Sequence, residues 1–306
     1  MLPTSRISFD SVSRLLADLL LPRELDRQAG GAAELVIVPQ GVLGLVPFGV
    51  LPIDSSGTPL ASRYALRYAP SLAVLREAEG RPGISSGPGR AVALRQALIV
   101  GNPVMPSRSS LGETFELPRL PGAEAEAASV AAQLGAAALA GAQATEAEVR
   151  RRIADAPVVH LATHGYAYAT EARARQSFIA LAPDPQDDGF LTVGEVLDDP
   201  AFTLRADLIV LSACQTGLGD LKQAEGTVGL QRAFLAKGAR SVLVSLWSVS
   251  DEATALLMKG FYSHWLHDPD EPSKAESLRR AEEAVRKTPG FEAPRYWAAF
   301  QLVGAR

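Results

Sequence analysis

What most constrains the fold is a set of short apolar runs that carry no polar alternation: Leu35-Val36-Ile37-Val38, residues 97–100, 157–162, 178–182, 207–212 and 241–246. Each is too short for a helix that buries itself and suits a strand covered on both faces. Between them lie helical stretches at 71–79, 123–134, 146–154 (with Thr145 as cap), 192–198, 225–237, 251–266 and 274–287. Strands alternating with helices of this length predict crossover units, hence an α/β architecture with a mainly parallel central sheet and helices on both faces. No repeat with a fixed period of tens of residues interrupts the pattern.

The chain has 306 residues, 47% of them hydrophobic and 21% charged, enough apolar side chain to offset the entropy of ordering. A net charge of −4 argues against direct nucleic-acid binding, which needs clustered cations. The single Cys, Cys214, excludes an internal disulfide and a multi-cysteine metal site, and fits a reducing, cytoplasmic setting. Residues 1–30 read as helical, with Val12, Leu15, Leu16, Leu19 and Leu20 interrupted by Arg14 and Asp18. That is an amphipathic helix, not a signal peptide. The uncharged run from Leu35 to Ile53 has membrane-span length but is broken by Pro39, Gly41, Gly44, Pro47, Gly49 and Pro52. It reads as a strand, a Gln40-Gly41 turn and a hairpin-like segment, so a soluble chain with no membrane partner is expected. The Gly-, Pro- and Ser-rich stretch 80–90 divides an N-terminal part (1–90: helix, strand, hairpin) from a larger second part (91–306).

Two strands end in reactive side chains. Val158-Val159-His160-Leu161-Ala162 runs into Thr163-His164-Gly165, and Leu208-Ile209-Val210-Leu211 into Ser212-Ala213-Cys214-Gln215-Thr216-Gly217. Ligands of open α/β sheets bind beyond the carboxyl ends of the strands, so both tips are expected on one edge. A thiol becomes a strong nucleophile as thiolate, and a nearby imidazole can take its proton. Backbone amides of Gly165 and Cys214 could hold an oxyanion. Taken alone, one Cys reads as a small buried hydrophobe, and a His at a strand end as a hydrogen-bonded structural residue.

The segments HLATHG, LSACQTGLGD, EGTVGLQRAFLAKGARSVLVSLWSVSDEAT and YWAAFQLVG resemble the CHAT family in their expected order. LVIVPQGVLGLVPFGVLP, LPGAEAEA and DGFLTVGEV support the match upstream, so that it spans about residues 35–304. The resemblance implies a caspase-like α/β/α sandwich of the caspase/separase type and a cysteine endopeptidase (a hydrolase). His164 would be general base or acid, Cys214 the nucleophile, and the Gly165 and Cys214 amides the oxyanion hole. His164 precedes Cys214 by 50 residues, the separation known from caspases. By likeness to separases, Asp251 would bind a basic P1 side chain of the substrate, with Glu225 as a second acidic candidate. Both also read as helix-start anions. If the pocket is acidic, the loop 166–177, with Arg173 and Arg175, is a candidate for self-cleavage.

His160, four residues before His164, reads as a core or supporting residue. His264 and His267 read as a solvated helix end, since no third metal ligand is visible, so neither metal nor cofactor is expected. Gly217-Leu218-Gly219 lacks the third glycine of a dinucleotide fingerprint and no Walker sequence exists, which speaks against nucleotide chemistry. The expected partner is a protein substrate in a regulatory or defence pathway, with a separate sensor or repeat-containing activator. The competing reading is a non-catalytic caspase-like scaffold that binds protein partners.

Overall fold

The structure is a computed structural model that describes residues 8–306 except 85–86, 88, 111–112, 116, 169–170 and 213–223. Eight strands form the central sheet: β1 (Glu34–Ile37), β2 (Ala65–Tyr68), β3 (Leu98–Pro103), β4 (Ala138–Gly141), β5 (Val158–Ala162), β6 (Leu208–Leu211), β7 (Ser241–Ser245) and β8 (Phe300–Gly304). Their spatial order is β1-β2-β8-β7-β6-β5-β3-β4. Every neighbouring pair is parallel except β7–β8. The mainly parallel α/β sheet is therefore as expected.

The longer helices are α1 (Phe9–Leu20), α2 (Leu72–Gly80), α3 (Pro121–Leu134), α4 (Glu146–Ile153), α5 (Ala224–Ala236), α6 (Asp251–His267) and α7 (Lys274–Arg286). The strand period of two divides the core into two layers. Leu98, Val100, Val159, Leu161, Ile209, Leu211, Val242 and Val244 face α4 and α5. Ile99, Val158, Leu208, Val210 and Leu243 face α3, α6 and α7. Strands apolar on both sides are what such a sandwich requires, which is why the runs show no alternation.

Several elements differ from the sequence reading. The hairpin-like segment before Ile53 is two 3₁₀ turns, Gly41–Leu45 and Phe48–Val50, because its closely spaced prolines and glycines leave no room for paired strands. The loop after β3 contains a small antiparallel pair, Arg108–Ser110 with Glu113–Phe115. Helix α1 turns Ser13 and Ala17 inward and leaves Phe9, Val12, Leu15 and Leu19 exposed. No helix among the described residues is long and apolar enough to cross a membrane.

Glu146, the first residue of α4, is fully buried. Burial pushes its carboxyl up to about 7, against the pull of Arg150, whose Nε lies 3.1 Å from Glu146 Oε1. A raised acid contributes its stability in the protonated form, at low pH, and loses it as pH rises through that value. Glu146→Gln is expected to add about 2 kcal/mol at about pH 8 and nothing near pH 4. Urea unfolding at the two pH values checks this, and an equal effect at both would refute the assignment.

Candidate active site

The chain leaves β3 through α3 to β4 on one side, while β5 leads to β6 on the other. This reversal of winding marks the carboxyl ends of β3 and β5 as the usual ligand position in such sheets. His164 lies just past the tip of β5. Strand β6 pairs with β5 in parallel, with Val210 opposite His160 and Leu211 opposite Leu161. The two strands that carry HLATHG and LSACQTG are therefore neighbours with their tips on one edge.

His164 is fixed from several directions. Thr163 Oγ1 donates to the Ala180 carbonyl at 2.7 Å, and Ala180 N–H donates to the His164 carbonyl at 2.8 Å. These bonds tie the tip of β5 to a small antiparallel sheet of Gly165–Tyr166, Phe178–Ala180 and Phe190–Thr192. The imidazole is 2% exposed, and its Nε2 stands 2.8 Å from the Pro118 carbonyl oxygen. A carbonyl can only accept, so Nε2 carries the hydrogen and the lone pair of the neutral ring resides on Nδ1. Burial lowers the pKa of His164, and the Pro118 carbonyl opposes that shift only in part. The ring is thus neutral and able to act as a base at neutral pH.

Cys214 lies outside the described residues. Ser212, two positions before it, is buried, and its hydroxyl has no hydrogen-bond partner among them. Gly165 is buried in the small sheet opposite Ile179. Glu225 belongs to the first turn of α5, and its side chain lies outside the described residues. Asp251 is the exposed first residue of α6, after the Ser250 cap, whose Oγ accepts from Ala253 N–H at 3.3 Å. Its carboxylate rests against the first turn of α3: a Cβ at Gly122 would fall 2.2 Å from Asp251 Oδ2. Asp251 thus lies beside the start of the helix that follows the Pro118 segment, where two helix N-termini favour an anion.

His160 is fully buried in the other layer, between Tyr262 and Glu126. Its Nδ1 is 3.2 Å from the Tyr262 hydroxyl, and its Nε2 is 3.0 Å from Glu126 Oε1, an ion-pair distance without hydrogen-bond alignment. His264 Nδ1 sits 3.3 Å from Asp268 Oδ2 at the end of α6. Among the described residues no group of three His, Cys, Asp or Glu side chains converges as a metal site. Arg175 pairs with Asp198, and the Arg173 guanidinium stacks 3.9 Å from the Tyr168 ring centre.

Sequence reasoning missed Pro118. A backbone carbonyl has no residue-type signature, and it lies 46 residues from His164.

The CHAT domain profile matches residues 10–305, almost the whole chain. The chain belongs to the CHAT domain family. Among curated CHAT relatives, tetratricopeptide repeat protein 28 of Homo sapiens is 30% identical over 307 aligned positions. The match covers 90% of this chain and 12% of that protein, and the Mus musculus counterpart matches equally. The chain therefore spans about an eighth of the length of these relatives. Among solved structures, the complex of Porphyromonas gingivalis RgpB pro- and mature domains aligns with a TM-score of 0.55, at 11% identity. It covers 98% of this chain and 70% of that one. The Arg-specific cysteine proteinase gingipain R aligns with a TM-score of 0.51, at 11% identity, over 98% and 68% of the two chains. At such identities the likeness is one of fold, and this CHAT domain has the caspase-like cysteine peptidase fold.

Proposed function

We propose that the chain is a cysteine endopeptidase that cuts a protein partner through His164 and Cys214, after a basic P1 residue. The observation that carries this reading is the buried imidazole of His164, hydrogen on Nε2. It stands at the tip of a strand whose parallel neighbour continues in sequence to Cys214. In this reading Nδ1 takes the thiol proton, and the thiolate sulfur bonds to the scissile carbonyl carbon while the C=O pair moves onto oxygen. The Gly165 and Cys214 amides hold that oxyanion. The imidazolium then protonates the departing amine as the C–N bond breaks, and water hydrolyses the thioester.

Asp251 supports the basic P1 preference through charge pairing, with Glu225 as the second acidic candidate, and Arg would gain bidentate geometry over Lys. A peptide library cut by the wild type beside Cys214→Ala tests activity and preference together. The expected result is cleavage after Arg or Lys that disappears in the variant. Cleavage that persists in Cys214→Ala refutes the dyad. Asp251→Asn is expected to lower the basic preference by about tenfold or more, and Gly122→Ala to mimic it by displacing the carboxylate. A library preference for acidic P1 would instead point to Arg119, a cation exposed on the Pro118 segment.

The second reading is a scaffold that binds partners without cutting, favoured by the relative named for its tetratricopeptide repeats. Thiol alkylation separates the two. A peptidase alkylates at Cys214 faster than the unfolded chain does, and His164→Ala slows it; an inert thiol favours the scaffold. A protein substrate and a repeat-containing activator are the partners this function implies, in a regulatory or defence pathway.

A further inference from the structure

The Gly101-Asn102-Pro103 tip of β3 lies on the same carboxyl rim as His164, with Gly101 paired to Ala162, and it does more than end a strand. Gly101 allows α3 to touch the sheet: a Cβ there would fall 2.4 Å from the Ala127 Cβ and 2.8 Å from the Ala123 carbonyl. Asn102 is 2% exposed and holds a left-handed backbone, with φ of 47°. A non-glycine residue persists there when its surroundings hold it, and Asn tolerates the region better than most. Its side chain uses both ends. Oδ1 accepts from Leu120 N–H at 2.7 Å, and Nδ2 donates to Glu124 Oε2 at 2.9 Å. The segment clamped in this way is the one whose Pro118 carbonyl binds His164 Nε2.

We infer that Asn102 is a positioning residue for His164: by clamping Leu120 and Glu124 it holds the Pro118 carbonyl against Nε2, which fixes the ring's tautomer and orientation. This rests on His164 as the base of the proposed peptidase, yet it concerns a ring that can be observed without any cleavage. A buried Asn at a left-handed strand tip could serve the fold alone, and the choice of variants separates the two roles. Asn102→Gly keeps the backbone conformation at no steric cost and removes both side-chain bonds. Glu124→Ala, on the exposed side of α3, removes only the Nδ2 bond. Asn102→Asp keeps the acceptor for Leu120 but sets two carboxylates together. Asn102→Asp with Glu124→Gln restores a donor and an acceptor in swapped positions.

The test is ring ¹⁵N spectroscopy of the full chain, with the His164 signals among those of four histidines assigned through His164→Gln. Peptide turnover is measured beside it. Wild type is expected to show the Nε2–H form of His164. Asn102→Gly should convert it to a mixture of tautomers and lower kcat by on the order of 10–100-fold with KM little changed, as for a misplaced catalytic group. Glu124→Ala should give a smaller change of the same kind, and the swapped pair should recover most of the loss. An unchanged tautomer in folded Asn102→Gly overturns the inference. Should that variant fail to fold, an unchanged tautomer in Glu124→Ala does the same. Absence of cleavage in the wild type, with a tautomer that still answers to Asn102, would remove the peptidase reading and leave the positioning role standing.

Discussion

Replacing His164 by Ala is expected to lower kcat/KM for peptide cleavage by about 10³-fold, within the range for loss of a positioned general base. The imidazole would have two tasks, taking the thiol proton and returning a proton to the amine. His164→Gln is the sharper variant. Its amide can still donate to the Pro118 carbonyl, so the segment keeps its partner, but an amide cannot carry a proton between steps. Both variants should fall together. If His164→Gln kept more than about a tenth of wild-type turnover, the ring would be structural and proton transfer would lie elsewhere. The pH profile adds a second constraint. Burial lowers the His164 pKa, so the base stays unprotonated below the ordinary imidazole value. The acid limb of kcat/KM should therefore fall below about pH 6.5. The same shift costs stability on acidification: the unfolded ring binds its proton first, so stability declines as pH falls from the ordinary value toward the lowered one.

Much of the sheet was legible because its central strands are buried on both faces. The runs around Val159, Ile209 and Val242 are mostly apolar, and their few polar side chains, His160 in mid-strand and the others near the strand ends, set up no alternation. The strands that escaped are those whose composition lacks that signature. β2 contains Arg67, buried because its guanidinium pairs with Glu34 and Glu79 and donates to the Gly304 carbonyl at 3.1 Å. Three partners from distant segments make a charge tolerable there, and nothing near Arg67 in sequence announces them. β4 is Ala138-Leu139-Ala140-Gly141, too small in side chain to show a β preference. β8 was visible as a motif and not as a strand, and its antiparallel pairing with β7 is a matter of topology alone.

The candidate site divides in the same way. His164 stood out as a reactive side chain at the end of an apolar run. The adjacency of β5 and β6 that brings its strand beside the one leading to Cys214 is a tertiary fact. Pro118 acts through its backbone, and Asn102 through bonds to residues 18 and 22 positions away. Asp251 looked like a helix-start anion, which it is. Its second neighbour, Gly122, is 129 positions earlier, and only the contact of α3 with α6 reveals it.

The largest stability effect is expected at the opposite, amino rim of the sheet, where Asp207 precedes β6. Lys274, 2% exposed, brings Nζ to 2.9 Å from Asp207 Oδ1 and 3.1 Å from its carbonyl oxygen. Arg240, just before β7, donates to the same carboxylate oxygen. Burial lowers the Lys274 pKa, and Asp207 pulls it back up. Two cations thus depend on one acid in a place that water scarcely reaches. Removing that acid strands both, whereas removing one cation leaves the acid paired, so the two deletions should be unequal. Asp207→Ala is expected to cost about 3–5 kcal/mol, and Lys274→Met, which keeps most of the apolar stem's volume, only about 1–2 kcal/mol. Denaturant midpoints of the two variants and of the double variant check this. The double variant should be less destabilised than the sum, because it no longer buries an uncompensated ammonium. Equal single effects that simply add would mean that Asp207 acts through its backbone turn and not as the shared counter-ion. Since the cluster sits a full strand length from the carboxyl rim, turnover of folded Asp207→Ala well below its unfolding midpoint should match the wild type. The fold thus keeps this buried ion cluster and its candidate chemistry at opposite ends of the same strands.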